Sequence, residues 1–468
     1  MSNLKIGTAK VCISPPAEAF PYPGPPYLGD GITIDGIYWD VYVRVIAMSN
    51  GEETFLFGSF EESNGTDALK EAVEARYGIP CRNQMFCQIH NHGGFQTTTV
   101  TKSGRGQKKN HKYSEIQVKM GQMIFDRALE AVGQALENLQ EARWGFGTGT
   151  SYLNVNRDYP MDDGYFSQAD YYDGASDKTL SVMKFTDLEG NVIAAVLNYC
   201  CHANATIGAT DADGKMKVSG DFPGFACGYL EKKYPGAVVM WTSGAAGNLN
   251  PLLSHGLQYE YPDGYTTQVQ YPDGTGYMQM EYMGRLHGVD CCKGLDAITR
   301  YSENMPIAHM VKDVPLPTLE CVEPWPPRTF TDIRNGGNGL RDYNKYPYGH
   351  LPAPGRVPEM HPGKPRIMNL HLLKLGNIAL LFANAEIFSQ IGEAMKAASP
   401  MKNTVIVTHH YGPKCHYIFD KTSKDVRLPM AYGGVAPGEA DDIIVEYEIQ
   451  LFDEILETEQ ASKAPAAF

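Results

Sequence analysis

The sequence predicts an α/β fold, a mixed β-sheet core flanked by helices. Short runs rich in β-branched and aromatic residues alternate with amphipathic helical runs from one end of the chain to the other. Tight turns such as Asp187-Leu-Glu-Gly190 join neighbouring strand-like runs into hairpins. A hydrophobic content of 43 % over 468 residues is enough to bury a large core.

The elements follow in order. Residues 41–48 (VYVRVIAM) and 54–60 (TFLFGSF) read as strands, and 67–77 as an amphipathic helix ended by Gly78 and Pro80. Residues 84–89 (QMFCQI) form a strand that delivers His90-Asn91-His92 at its end. A long helix over 114 to about 139 opens with an N-cap serine and Glu115 in its first turn. Residues 180–186 and 192–199 make a hairpin, and the apolar run VIAAVLNYCCH ends at His202. A helix over 221–233 opens with Asp-Phe-Pro-Gly, and 237–241 is a buried strand followed by a glycine-rich turn. Residues 278 to about 299 read as helix. Residues 367–375 and 378–383 read as strands joined at Gly376-Asn377, 386–398 as helix, 404–408 as strand and 440–457 as the closing helix. The expectation is one large domain over 1–468. Residues 256–276, with YPDG twice, are expected to be a loop over the site. The Pro-, Gly- and aromatic-rich residues 315–365 are expected to be a folded lid or wall.

The net charge of −14 argues against nucleic acid as a partner, because phosphate neutralisation needs clustered Lys and Arg. The one basic run, 105–112 (RGQKKNHK), reads as a solvated loop. No run reaches the roughly 18 apolar residues of a membrane span, so no integral membrane segment is expected. No secretory signal follows Met1, and the ten cysteines show no zinc-knuckle spacing. A cytoplasmic protein with reduced thiols is the reading that fits. A small-molecule substrate is expected, and a homo-oligomer stays open.

Four places can carry chemistry. In an extended chain His90 and His92 point the same way, which suits a zinc site, although a pair of satisfied polar histidines fits the residues equally. His202 ends a buried strand, where either a ligand or a hydrogen-bonded core histidine belongs. Glu386 closes the run IALLFANAE and must be paired or bind something, or else serve as a helix N-terminal carboxylate. The turn Ser243-Gly-Ala-Ala-Gly247-Asn248-Leu-Asn250-Pro251 offers backbone N–H groups to an oxyanion or phosphate. Asp211-Ala-Asp213-Gly214 lacks the remaining ligands of a calcium loop and reads as a turn.

In order along the chain, these pieces resemble the catalytic domain of the neutral/alkaline non-lysosomal ceramidase family, especially its compact bacterial members. IGTAKVCISPP is similar to that domain's opening strand and proline turn, and WDVYVRVIAM to its D-P-L-Y-A-R-A-L strand. His90-Asn-His92-Gly-Gly resembles H-T-H-S-G, Asn156-Arg157 the N-R element, and Asn198-Tyr-Cys-Cys-His202 N-Y-A-C-H-P. Ser219-Gly-Asp221-Phe-Pro-Gly224 resembles S-G/A-D-Y-P-G, and Gly244-Ala-Ala-Gly247-Asn-Leu-Asn-Pro251 resembles G-A-A-G-D-L-N-P. The likeness spans nearly the whole chain.

The resemblance implies a Zn2+ ion held by His90, His202, Glu386 and Tyr417, the last from the altered stretch Tyr411-Gly-Pro-Lys-Cys-His-Tyr417. His92 is then an acid/base residue or an outer neighbour of the metal. Arg157 orients the substrate carbonyl or stabilises an oxyanion. Gly247, Asn248, Asn250 and Tyr432 line the substrate, and Asp221 orients a ligand histidine or, more in keeping with Pro223 just inside the helix, caps it. Asn250 stands where ceramidases carry Ser in G-D-V-S-P-N, and no counterpart of their C-terminal immunoglobulin-like domain is expected. The implied activity is zinc-dependent hydrolysis of an amide C–N bond in a small or amphiphilic substrate. The tyrosine-rich loops point to a more polar substrate than a sphingolipid. Ester, lactone or glycoside cleavage, elimination, and an inactive metal-stabilised binding protein are the other readings.

Overall fold

The computed structural model describes residues 4–25, 31–62, 66–101, 104–106, 113–160, 166–253, 257–260, 266–269, 274–321, 360–411, 415–423 and 438–463. Its framework is one arrangement used three times: two antiparallel strands, a helix, and a further strand parallel to the second. The first unit is Tyr42–Ser49, Thr54–Phe60, the helix Asp67–Tyr77 and Gln84–Gln88. The second is Thr179–Thr186, Val192–Tyr199, the helix Asp221–Lys233 and Val238–Ser243. The third is Arg366–Leu375, Ile378–Ala383, the helix Ser389–Ala398 and Asn403–Val407. Parallel neighbours need a crossover, and each helix supplies one. Lys5–Cys12 extends the first sheet beside Tyr42–Ser49, Arg143–Thr150 the second, and Ile307–Leu316 the third.

Local chemistry sets the helix ends. Thr66 accepts from the Leu69 N–H, and Gly78, at φ 71°, closes the first helix in a left-handed conformation open to glycine. Ser114 and Gln117 form a reciprocal capping box at the start of Glu115–Glu137. The three sheets share one apolar cluster, in which Phe57 and Met85 of the first unit meet Phe185 and Met240 of the second and Leu380, Phe382 and Val405 of the third. That shared core registers the three units against one another and brings the carboxyl ends of their parallel strands together. Bridges Asn91↔Ala203 and Cys87↔His410 stitch those ends directly.

Several expectations change. Glu386 opens no helix: it lies in the short strand Glu386–Ile387, paired with Tyr417–Ile418, and the helix begins at Ser389 after Phe388. The reading of Glu386 as a helix N-terminal carboxylate therefore falls. The strand before His90 ends at Gln88, and His90 has φ 61°, so the His-x-His pair is not extended chain. Within 256–276, Leu257–Glu260 and Thr266–Val269 form a hairpin, and the following helix starts at Thr275. Within 315–365, the described parts are strand ends: Ile307–Leu316 runs in, and Leu319–Cys321 pairs with Met360–Pro362. The adjacent cysteines Cys200, Cys201, Cys291 and Cys292 are free thiols. Among the described residues, no helix is long and apolar enough to cross a membrane.

Candidate metal centre

Four segments beyond the carboxyl ends of the parallel strands converge on one point. His90 follows Gln84–Gln88, His202 follows Val192–Tyr199, Glu386 follows Ile378–Ala383, and Tyr417 arrives on the strand paired with Glu386. The Glu386 Oε2 atom lies 3.3 Å from His90 Nε2 and 3.6 Å from His202 Nε2. Tyr417 OH lies 3.4 Å from His202 Nε2, and His92 Nε2 lies 3.2 Å from His90 Nε2. Donors about 2.0–2.1 Å from a tetrahedral ion stand about 3.3 Å apart, so these spacings match those of donors around one small cation.

Two further observations fit a cation. Glu386 is 8 % exposed, and its Oε2 makes no hydrogen bond among the described residues although two imidazole nitrogens are close. An orphaned buried carboxylate oxygen is costly unless a cation satisfies it. His202 Nδ1 lies 2.7 Å from the Ala246 carbonyl and 3.1 Å from that of Leu249. Carbonyls only accept, so Nδ1 carries the proton and the Nε2 lone pair faces the cluster.

Electrostatics agree. Burial pushes His90 down to about 3 and lowers His202, whose neighbour Arg157 lowers it further, so both are neutral donors. Two neutral imidazoles, a carboxylate and a phenol are a donor set that fits zinc. His90, His92 and His202 form one group of donors within 4.8 Å of one another, and His90, Glu386 and His409 form another.

Arg157 packs beside this cluster. One guanidinium nitrogen donates to Tyr417 OH at 3.0 Å and to the Gly247 carbonyl at 2.6 Å, and the other donates to Asn250 Oδ1 at 3.3 Å. Burial opposes its charge, but Tyr417, Asp158 and Glu386 raise its pKa on balance, so it stays cationic. Burial and the Glu386 charge raise the Tyr417 phenol, while Arg157 works against them. Asp158, next in sequence, is pushed up to about 7 by burial.

The remaining candidates have other tasks. In the turn after Val238–Ser243 two N–H groups are already committed, Gly244 to Tyr199 and Gly247 to Ile387. The turn also presents carbonyls, Ala246 to His202 and Gly247 to Arg157. A Cβ on Gly247 would stand 2.9 Å from the Glu386 carbonyl and 2.7 Å from Phe388, so glycine is what lets this turn approach the strand bearing Glu386. Asn248 is likewise not a free substrate contact: it accepts from the Ser389 N–H and donates to Gln390, docking the third crossover helix. Asn250 also accepts from Asn204, and so anchors Arg157. Among the described residues, Asp221 hydrogen-bonds to neither His90 nor His202. At φ 51°, it accepts from the N–H groups of Ala205, Thr206 and Phe222 and from the Thr206 hydroxyl, fixing the loop after His202. Tyr432 lies outside the described residues. His409 escaped sequence reasoning. Its signal was its place just past the strand Asn403–Val407, but nothing local separates it from His410.

No protein-family model matches the chain, and no curated protein sequence matches it. Among solved structures, the neutral ceramidase from Pseudomonas aeruginosa is 15 % identical at a TM-score of 0.67, over 96 % of this chain and 74 % of that one. A ceramidase complexed with C2 is 17 % identical at a TM-score of 0.69, over 99 % and 77 %. Across nearly its whole length, the chain has a neutral ceramidase-like α/β fold.

Proposed function

We propose that the chain is a zinc-dependent hydrolase that cleaves an amide C–N bond of a small or amphiphilic substrate. The observation that carries this reading is the orphaned Glu386 Oε2, facing His90 and His202 at metal-ligand spacing. The ceramidase name of both structural neighbours favours an amide over other bonds. His90, His202, Glu386 and Tyr417 would hold the ion. When bound, zinc supplies Lewis acidity and lowers the pKa of water from about 15.7 to roughly 7.

The chain's own groups do the rest. Arg157 is held rigidly by Gly247, Asn250 and Tyr417, and so offers fixed positive charge to the carbonyl oxygen as it becomes negative. His92, on the edge of the donor cluster, delivers the proton that lets the amine leave. A matched pair of N-acyl amine and O-acyl ester substrates tests the reading. The amide is expected to turn over, to stop with a chelator and to recover with zinc. Turnover of the ester alone, or indifference to chelation, contradicts it.

A further inference from the structure

His409 touches both strands that carry ligands. Its N–H donates to the Ala385 carbonyl at 3.4 Å, next to Glu386, and its carbonyl accepts from the Gln88 N–H at 3.2 Å, two residues before His90. Its ring lies on the His90 ring with centroids 4.1 Å apart and planes 13° apart. A ring nitrogen also lies within 4.8 Å of donor atoms of His90 and Glu386.

Two roles are open to such a residue, and the geometry separates them. Imidazoles bound to one ion radiate from it, so their centroids stand about 5.2 Å apart at the tetrahedral angle and about 4.5 Å at a right angle. His90 and His202 are 4.8 Å apart at 69°, and His90 and His92 are 4.7 Å apart at 87°. The His90–His409 pair is closer than either limit and nearly coplanar. It is a stack, not a pair of neighbouring ligands. Both residues sit at positive φ, 61° for His90 and 56° for His409, a conformation that persists in non-glycine residues only where the surroundings enforce it.

We propose that His409 is a positioning residue of the centre: its ring fixes the plane of His90, and its backbone ties the strand before His90 to the segment bearing Glu386. The proposal rests on the metal-centre reading above. It assigns His409 no bond to the ion. The stacked face of its ring carries the effect on His90.

The test compares His409→Phe, which keeps a flat ring, with His409→Leu and His409→Ala, which do not. Zinc affinity is read by competition with a chromophoric chelator, and site geometry by the visible spectrum of the cobalt-loaded protein. His409→Phe is expected to keep wild-type affinity within about threefold and the wild-type spectrum. Leu and Ala are expected to lose about tenfold or more in affinity and to shift the spectrum. If Ala does not fold, the Phe–Leu comparison decides. Loss with Phe equal to that with Leu would show that the nitrogens matter and overturn the proposal, as would wild-type behaviour in all variants. Failure of the wild-type chain itself to bind zinc or cobalt is a separate result: it removes the metal centre before any substitution is made.

Discussion

His202 shows how a buried histidine is turned into a donor. Its Nδ1 is fixed as a proton carrier by two carbonyls, its Nε2 faces the Glu386 Oε2 atom, which has no hydrogen-bond partner among the described residues, and burial keeps the ring neutral. Those features depend on Ala246 and Leu249, more than forty residues downstream, so no sequence window around His202 displays them. Arg157 is also defined by distant partners, Gly247, Asn250 and Tyr417. Arg157→Lys removes its planar fork, and kcat is expected to fall about 10²–10³-fold, the usual loss for one oxyanion donor, with zinc content unchanged. A fall confined to KM, or loss of zinc, would contradict the role given to Arg157.

At the scale of elements, legibility follows locality. The helix Asp67–Tyr77 was readable because its stop is local: Gly78 sits in the left-handed conformation that the residue type allows. The strand Val192–Tyr199 was readable from its apolar run. Glu386–Ile387 was not, since a two-residue strand paired with Tyr417 and Ile418 gives no periodicity, and the run from 386 to 398 mimics a longer helix. The positive φ of His90 and His409 was hidden for the same reason, being imposed by other strands.

The closing helix Ala440–Lys463 carries an element-scale prediction. Glu448 is 0 % exposed, neither carboxylate oxygen has a hydrogen-bond partner among the described residues, and burial pushes its pKa up to about 8. The folded chain therefore holds a proton that the unfolded chain has released. The stability this gives is complete below the ordinary glutamate pKa of about 4.3 and is lost as pH rises to about 8. Glu448→Gln should flatten that slope and raise stability at pH 8 by about 2–4 kcal/mol relative to the parent chain. Urea midpoints at pH 5 and pH 8 measure it. An equal effect at both values would show that Glu448 does not titrate between them.

At the scale of the whole molecule, three similar strand–helix–strand units each bring one principal donor to a common point. The first gives His90, the second His202 and the third Glu386, and the shared apolar core sets their register. The alternation of strand and helix runs made the α/β class legible, but not the threefold repetition of one unit. The spacing of the donors was not legible, because it depends on how three sheets pack, nor was it legible that the N–H groups of Gly244 and Gly247 in the turn at 244–250 serve Tyr199 and Ile387. On the proposed reading, metal binding is a property of the assembled units. The measurement that tests it most directly is elemental analysis of the untagged chain beside His90→Ala and His202→Ala. About one zinc per chain, lost in both variants, is the expected result. No bound transition metal in the parent chain, and no uptake when zinc is added, would contradict the metal centre and leave a fold without the chemistry assigned to it.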